Sequence, residues 1–144
     1  LAEIFRKEVL HIEHGTHSWQ DAIGVVGQIM LDVGSIEEGY IKAMIDAVEE
    51  LGPYIVIAPH IAIPHAAARE NVLKNDMVIA VFQQPVIFGT ENDPVHLMIG
   101  LCALEPGSHL EQLTCLAGIL DDENVWKDFL ACKTVGQLYD FVNK

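Results

Sequence analysis

A proline at the end of an apolar run constrains this chain more than any other residue. Ile61-Ala62-Ile63 reads as a short strand, and Pro64 follows it directly. Proline fixes its own φ and carries no N–H, so the run cannot continue as an interior strand. His65 then falls on the loop just past the strand, on a stiffened backbone, with Ala66, Ala67 and Ala68 after it. Such a rim presents one imidazole with nothing bulky beside it, a surface that a partner's reactive group could approach. From spacing alone, a loop histidine bonded to a nearby carbonyl fits at least as well.

Around this stretch helical and strand patterns alternate, and residues 1–144 read as one α/β domain, a mixed central β-sheet flanked by helices. Leu1 to Leu10 is expected to form a short helix running into a β-like segment at Val9-Leu10-His11-Ile12. Ser18 caps a helix with Ala22, Val25, Val26, Ile29 and Met30 at helical spacing, ended by Gly34. Ser35-Ile36-Glu37-Glu38 reads as a second capping box. Its helix sets Tyr40, Ile41, Met44, Ile45, Val48 and Leu51 on one side and closes at Gly52-Pro53. Tyr54-Ile55-Val56-Ile57-Ala58 has the pattern of a strand buried on both faces. Pro59-His60 separates it from Ile61-Ala62-Ile63.

Met77 to Phe82 and Val86 to Phe88 read as two strands, and Val95 to Leu104 as the longest. Ser108-His109-Leu110-Glu111 is a third capping box, for a helix to about Leu120 that buries Leu113, Leu116, Ala117 and Leu120. Asp122 to Leu130 is a shorter helix, and Thr134, with Gln137, caps the last.

Charge and cysteines narrow the function classes. The formal net charge is −13, and only Arg6 and Arg69 among the basic residues are arginines. That balance opposes binding to a nucleic-acid backbone or an anionic lipid surface and favours a basic protein partner. No apolar run approaches the roughly 20 residues that span a bilayer, and no basic segment leads into an apolar one as in a signal peptide. Cys102, Cys115 and Cys132 are odd in number and widely spaced, with Cys102 and Cys115 in apolar surroundings. Cys102 and Cys115 read as small core residues, and the cysteine pattern as a whole points to a cytoplasmic protein in a reducing compartment.

Seven histidines are many for this length. His11, His14 and His17 would suit a metal only on a helix, which Gly15 and the strand-like Val9 to Ile12 oppose. His60 and His65 are five apart around Pro64, so no helix brings them to one face. His96, between Val95 and Leu97 in a strand, reads as a bonded polar residue on one sheet face. A metal-dependent hydrolase built on His60, His65, His96 and His109 is a competing reading, although no pair among them has a short ligand spacing. No metal site or cofactor motif is expected: G-x-S-x-G, G-x-G-x-x-G and a phosphate loop with Lys-Ser/Thr are all missing.

His109 stands apart from the other histidines, because it sits in the first turn after the Ser108 cap. Unpaired N–H groups and the helix dipole there favour a phosphoryl group. If the His65 loop and this helix start share one rim of the sheet, the parts fit phosphoryl transfer through a phosphohistidine.

These residues also carry a resemblance. Glu50, Ile57-Ala58 and Ile61-Ala62-Ile63-Pro64-His65-Ala66 match the signature of the mannitol/fructose-type IIA domain of the bacterial phosphoenolpyruvate-dependent sugar phosphotransferase system. The similarity runs from Trp19-Gln20-Asp21 to the last helix. Gly52 to Pro59, Asn92-Asp93-Pro94-Val95, Asp121-Asp122-Glu123-Asn124 and Glu49, where mannitol and fructose members carry arginine, resemble the ascorbate-specific branch. The resemblance implies that His65 accepts a phosphoryl group from phospho-HPr and passes it to a cognate IIB component, which serves a membrane IIC during sugar uptake. It implies that His109 is the second active-site histidine, a supporting hydrogen-bond donor, and that Nε2 of His65 carries the phosphoryl group. A homodimer is left open, and so is a regulatory IIA-like role in which another protein reads the phosphorylation state. Two departures lie at the rim. Ala67 stands where ascorbate members have arginine, so that Arg69 is the nearest one, and His60 stands where a small residue is common.

Overall fold

The computed structural model describes residues 3–67, 69–105 and 110–144. Five strands form one mixed sheet in the order β1-β4-β5-β3-β2. They are β1 (Leu10–Glu13), β2 (Val56–Ala58), β3 (Ile61–Ala62), β4 (Asp76–Val86) and β5 (Val95–Cys102). The helices are α1 (Trp19–Asp32), α2 (Glu38–Leu51), α3 (Leu110–Leu120), α4 (Val125–Ala131) and α5 (Val135–Val142). β1 runs parallel to β4, β4 antiparallel to β5, β5 parallel to β3, and β3 antiparallel to β2. The expected single α/β domain with a mixed sheet flanked by helices is the fold observed.

The centre of the sheet is the antiparallel β4/β5 pair, because its residues are apolar on both faces. Met77 to Phe82 are fully buried, as are Val95 and Leu97 to Ile99. At Gly100 a Cβ would stand 2.5 Å from Val26, so α1 packs there against bare backbone. α4 lies on β4 and β5, and α5 against β1. Helix ends follow local chemistry. The Asp21 N–H donates to Ser18 Oγ at 3.1 Å, and the Gln137 N–H to Thr134 Oγ1 at 3.1 Å. Gly52 closes α2 at φ +81, where a side chain would be strained.

Five expectations need correction. Ser35 does not cap α2. The N-cap is Glu37, without a side-chain bond, and Ser35 is buried with its hydroxyl donating to Asp76. A buried carboxylate outcompetes a solvent-exposed cap for that hydroxyl. Tyr54 to Ala58 is not an interior strand. Only Val56–Ala58 is extended, on the sheet edge, and Ile57 is 53% exposed. The segments 77–82 and 86–88 are not two strands but the single β4, with an irregular register between Val81 and Val86. There the Gln83 amide donates to the Cys132 carbonyl at 3.1 Å, so the polar stretch finds a partner without breaking the strand. The N-terminal helix reduces to a 3-10 turn over Lys7–Val9 ahead of β1. In α3, Leu116 is buried but Leu113 and Ala117 are exposed. The Ser108 cap and the Cys115 side chain lie outside the described residues, while Cys102 is buried as expected and Cys132 is buried as well.

Asp76, 2% exposed, ties three parts of the chain together. It accepts from Arg6 Nη2 at 2.8 Å, from Ser35 Oγ between α1 and α2, and from its neighbour Met77 N–H at 2.9 Å. Burial pushes its carboxyl up, but Arg6, Ser35 and the Met77 N–H outweigh that and hold it below the usual carboxylate range. A depressed folded pKa contributes stability that is present above the unfolded value and lost as pH falls through the folded one. Asp76→Ala is therefore expected to lower unfolding stability by about 2–3 kcal/mol in urea titrations at pH 7, since it strands Ser35 and Arg6. The difference between variant and wild type should shrink as pH is taken below about 4. A constant difference down to pH 2 would show that the ionised carboxylate is not the stabilising species.

Candidate functional site

The site is built where β3 leaves the sheet. Its start is fixed by the Pro59-His60 turn between β2 and β3, in which His60 takes φ +72. A non-glycine residue there costs about 1 kcal/mol. Here the cost is offset by anchoring. The His60 N–H donates to Asn92 O at 2.9 Å, its carbonyl accepts from His96 and Leu97, and Nδ1 donates to Pro94 O at 2.7 Å. Its ring lies 3.9 Å, centre to centre, from that of Trp126 on α4.

At the other end of β3, the Ile63 N–H donates to Ile55 O at 2.8 Å and Pro64 O accepts from Leu101 N–H at 3.0 Å. Ile63 and Pro64 are thus tied to both neighbours, and His65 follows them half-buried. Its Nδ1 lies 2.7 Å from the Ile63 carbonyl oxygen. A carbonyl only accepts, so Nδ1 carries the proton and the neutral ring keeps its lone pair on Nε2. The carbonyl-bonded loop histidine and the imidazole with an Nε2 unbonded among the described residues thus coincide in one residue. The Tyr54 ring stands edge-on to the imidazole at 5.4 Å, with its hydroxyl 3.4 Å from His65 O.

His65 lines a cavity of about 250 Å³ together with Tyr40, Ala67, Arg69, Leu101 and Glu105. Arg69 is exposed, on the short 3-10 turn Arg69–Asn71. It is the one Lys or Arg residue lining that cavity among the described residues. The other arginine is committed to Asp76 and Glu8. Buried Cys102 lines the same cavity wall, and burial pushes its thiol up to about 12, so it is no nucleophile near neutral pH.

The other histidines are placed elsewhere. His60 and His96 lie at the starts of β3 and β5, the end of the sheet away from His65. His96 Nδ1 donates to Phe82 O at 2.7 Å, the bonded polar role expected of it. The set His60, His65 and His96 is therefore not brought together for a metal. His11 and His17 both reach Glu13, at 2.7 and 2.5 Å through Nε2, and their contact with a carboxylate explains this cluster without an ion. His109 lies outside the described residues. Sequence reasoning passed over Tyr40 and Tyr54 at the site. Tyr40 had been placed only by its apolar spacing, although a tyrosine on a buried helix face needs a partner for its hydroxyl, and that need was a usable signal.

Comparison with known proteins bears on the family and the fold. Residues 3–144 match the family model for the phosphoenolpyruvate-dependent sugar phosphotransferase system, EIIA 2. The mannitol-specific cryptic phosphotransferase enzyme IIA component of Escherichia coli K12 is 31% identical over 144 residues, 100% of this chain and 98% of that protein. An ascorbate-specific EIIA component of Shigella boydii is 29% identical over 137 residues, 94% of this chain and 89% of that protein. The mannitol IIA enzyme of Escherichia coli, solved in complex with phosphorylated mannitol IIB, superposes with a TM-score of 0.80 at 28% identity. That match covers 96% of each chain. A family model spanning almost every residue, with relatives matched along nearly their full length, establishes that this chain belongs to the EIIA type 2 family of the sugar phosphotransferase system.

Proposed function

We propose that this chain is a cytoplasmic IIA phosphocarrier in which His65 takes a phosphoryl group from phospho-HPr and hands it to a cognate IIB component. The observation that carries the reading is the Nδ1–H bond from His65 to Ile63 O, which leaves the lone pair on Nε2 of a ring lining an open cavity. Nε2 attacks phosphorus in line, a P–N bond forms, and the donor's P–N bond breaks with its electron pair returning to the donor nitrogen. The ring then carries positive charge, and the Ile63 carbonyl accepts a charge-assisted bond from Nδ1–H. Transfer to IIB repeats the step with the chain as donor.

Arg69 is the cation proposed to face the phosphoryl oxygens, in the place left by Ala67. His109 is proposed as the supporting donor beside them. The net charge of −13 speeds encounter with a basic-faced carrier while leaving the complex transient. Ascorbate is the sugar proposed, on Gly52 to Pro59 and Asn92 to Val95. The relative named for mannitol makes that sugar the competing assignment.

Incubation with phosphoenolpyruvate, enzyme I and HPr is expected to add one acid-labile phosphoryl group by intact-protein mass. The adduct should vanish in His65→Ala and form more slowly in His109→Ala. No adduct on wild type would remove the phosphocarrier reading. Chasing the adduct with ascorbate or mannitol IIB should discharge it faster to the former; preferential discharge to mannitol IIB would reassign the sugar. Arg69→Ala is expected to slow loading about tenfold, less than the roughly 100-fold of a buried donor because Arg69 is exposed, with Arg69→Lys intermediate. Equal rates in all three proteins would exclude Arg69 from the phosphoryl site.

A further inference from the structure

The parallel ladder between β3 and β5 opens at His65, and the opening is occupied by a side chain from another element. The register pairs Ile61 with Leu97 and Ala62 with Met98. Continued by three residues, it sets His65 opposite Leu101. A parallel ladder at that pair consists of two bonds, Leu101 N–H to Pro64 O and Ala66 N–H to Leu101 O. The first is made, at 3.0 Å. In place of the second stands the hydroxyl of Tyr40 from α2, which accepts the Ala66 N–H at 3.1 Å and donates to Leu101 O at 2.7 Å. The oxygen also lies 3.3 Å from Ala66 O, but its single proton goes to the nearer acceptor. Tyr40 is 1% exposed, and burial pushes its hydroxyl up to about 12, so it remains protonated as this link requires.

We infer that Tyr40 is a positioning residue for His65: its hydroxyl, inserted as a link in the β3–β5 ladder, holds the backbone after His65 away from β5 and so fixes the imidazole at the rim. The inference rests on the phosphocarrier reading for its consequence, not for its geometry. Ala66 N–H to Tyr40 O–H to Leu101 O is a head-to-tail chain in which each bond polarises the next. Its two ends lie on the residue after His65 and on the residue facing it across the ladder. Tyr40 also lines the cavity that His65 shares with Arg69, so the same side chain spaces the wall and the nucleophile. A phenylalanine keeps the ring and removes the link. The Ala66 N–H and the Leu101 carbonyl then lose their common partner, and the Ile63–His65 bond that fixes the tautomer loses its support.

The test compares full-length wild type, Tyr40→Phe and Val48→Ala, the last a core truncation on the same buried side of α2. Three quantities are measured: amide exchange at Ala66, the ¹⁵N signature of the protonated Nδ1 in the His65 ring, and the rate of phosphoryl loading from potassium phosphoramidate. That donor has no docking surface. Its P–N bond breaks as Nε2 bonds phosphorus, and the protonated nitrogen leaves as ammonia with the bond pair. Tyr40→Phe is expected to expose the Ala66 amide to exchange, weaken the Nδ1–H signature and slow loading about tenfold or more, in line with the sensitivity of positioned reactants to small displacements. Val48→Ala is expected to lower the melting temperature while leaving all three readouts at wild-type values. Wild-type loading by Tyr40→Phe, or a loss in Val48→Ala matching its loss of stability, would overturn the positioning role. Exchange and ring signature need no donor, so they judge that role even if wild type takes no adduct, an outcome that would count against the phosphocarrier reading instead.

Discussion

The parallel pairing of β3 with β5 is the constraint on which the site depends. It is short because its hydrogen bonds run out at two successive points. Pro64 has no N–H to give, and two residues later the Ala66 N–H is bound to Tyr40 rather than to β5. A strand that loses its ladder in two steps leaves the sheet gradually, so His65 is neither interior nor on a free loop. Its main chain is held by the neighbouring bonds at Ile63, Pro64 and Ala66, while its ring keeps one nitrogen unbonded among the described residues. The phosphoryl acceptor proposed for His65 has to be both fixed and accessible, and an interrupted ladder meets both needs.

The opposite end of β3 uses the reverse device. Backbone at His60 is in the left-handed region, and its N–H, its carbonyl and its Nδ1 each have partners: N–H to Asn92, carbonyl to His96 and Leu97, Nδ1 to Pro94. Its ring, tilted against that of Trp126, adds a contact to α4. A strand of two residues has little stability of its own, so its direction is set by what clamps its ends. The rigid turn at His60 and the opened ladder at His65 together determine how the strand enters and leaves the sheet. The same division explains why the histidines do not act as one group, since His11, His17, His60 and His96 are spent on carbonyls or on Glu13.

Much of this was legible in the residues. Pro64 followed by His65 located the strand end, the β4/β5 centre announced itself by its apolar runs, and the Ser18 and Thr134 caps behaved as local chemistry requires. What was not legible depended on partners distant in sequence. Ser35 has the spacing of a cap, yet Asp76 lies 41 positions away and claims its hydroxyl. Tyr54 to Ala58 has the composition of a buried strand, yet it pairs only with β3 and leaves Ile57 in solvent, because neighbours and not composition decide whether a strand is central. Tyr40 fitted the apolar side of α2, and nothing local reveals that its hydroxyl reaches a ladder 26 and 61 residues on.

Scarcity of cations gives the site its electrostatic character. With eight basic residues against twenty-one acids, every placed guanidinium matters, and the two arginines have different tasks. Arg6 compensates the buried carboxylate of Asp76, which without it would be an uncompensated charge at the start of a central strand. Arg69 stands at the cavity without a carboxylate partner among the described residues, exposed at the edge of an otherwise acidic molecule. An anionic group entering beside His65 therefore meets the Arg69 guanidinium and the Glu105 carboxylate in the same cavity, within an acidic molecule. For the phosphoryl group proposed to sit on His65, Arg69 and the Nδ1–H bond would stabilise it, while the surrounding acid would weaken any lasting attachment of the free anion. Retention would need more cations around the cavity, and the sequence has placed them elsewhere.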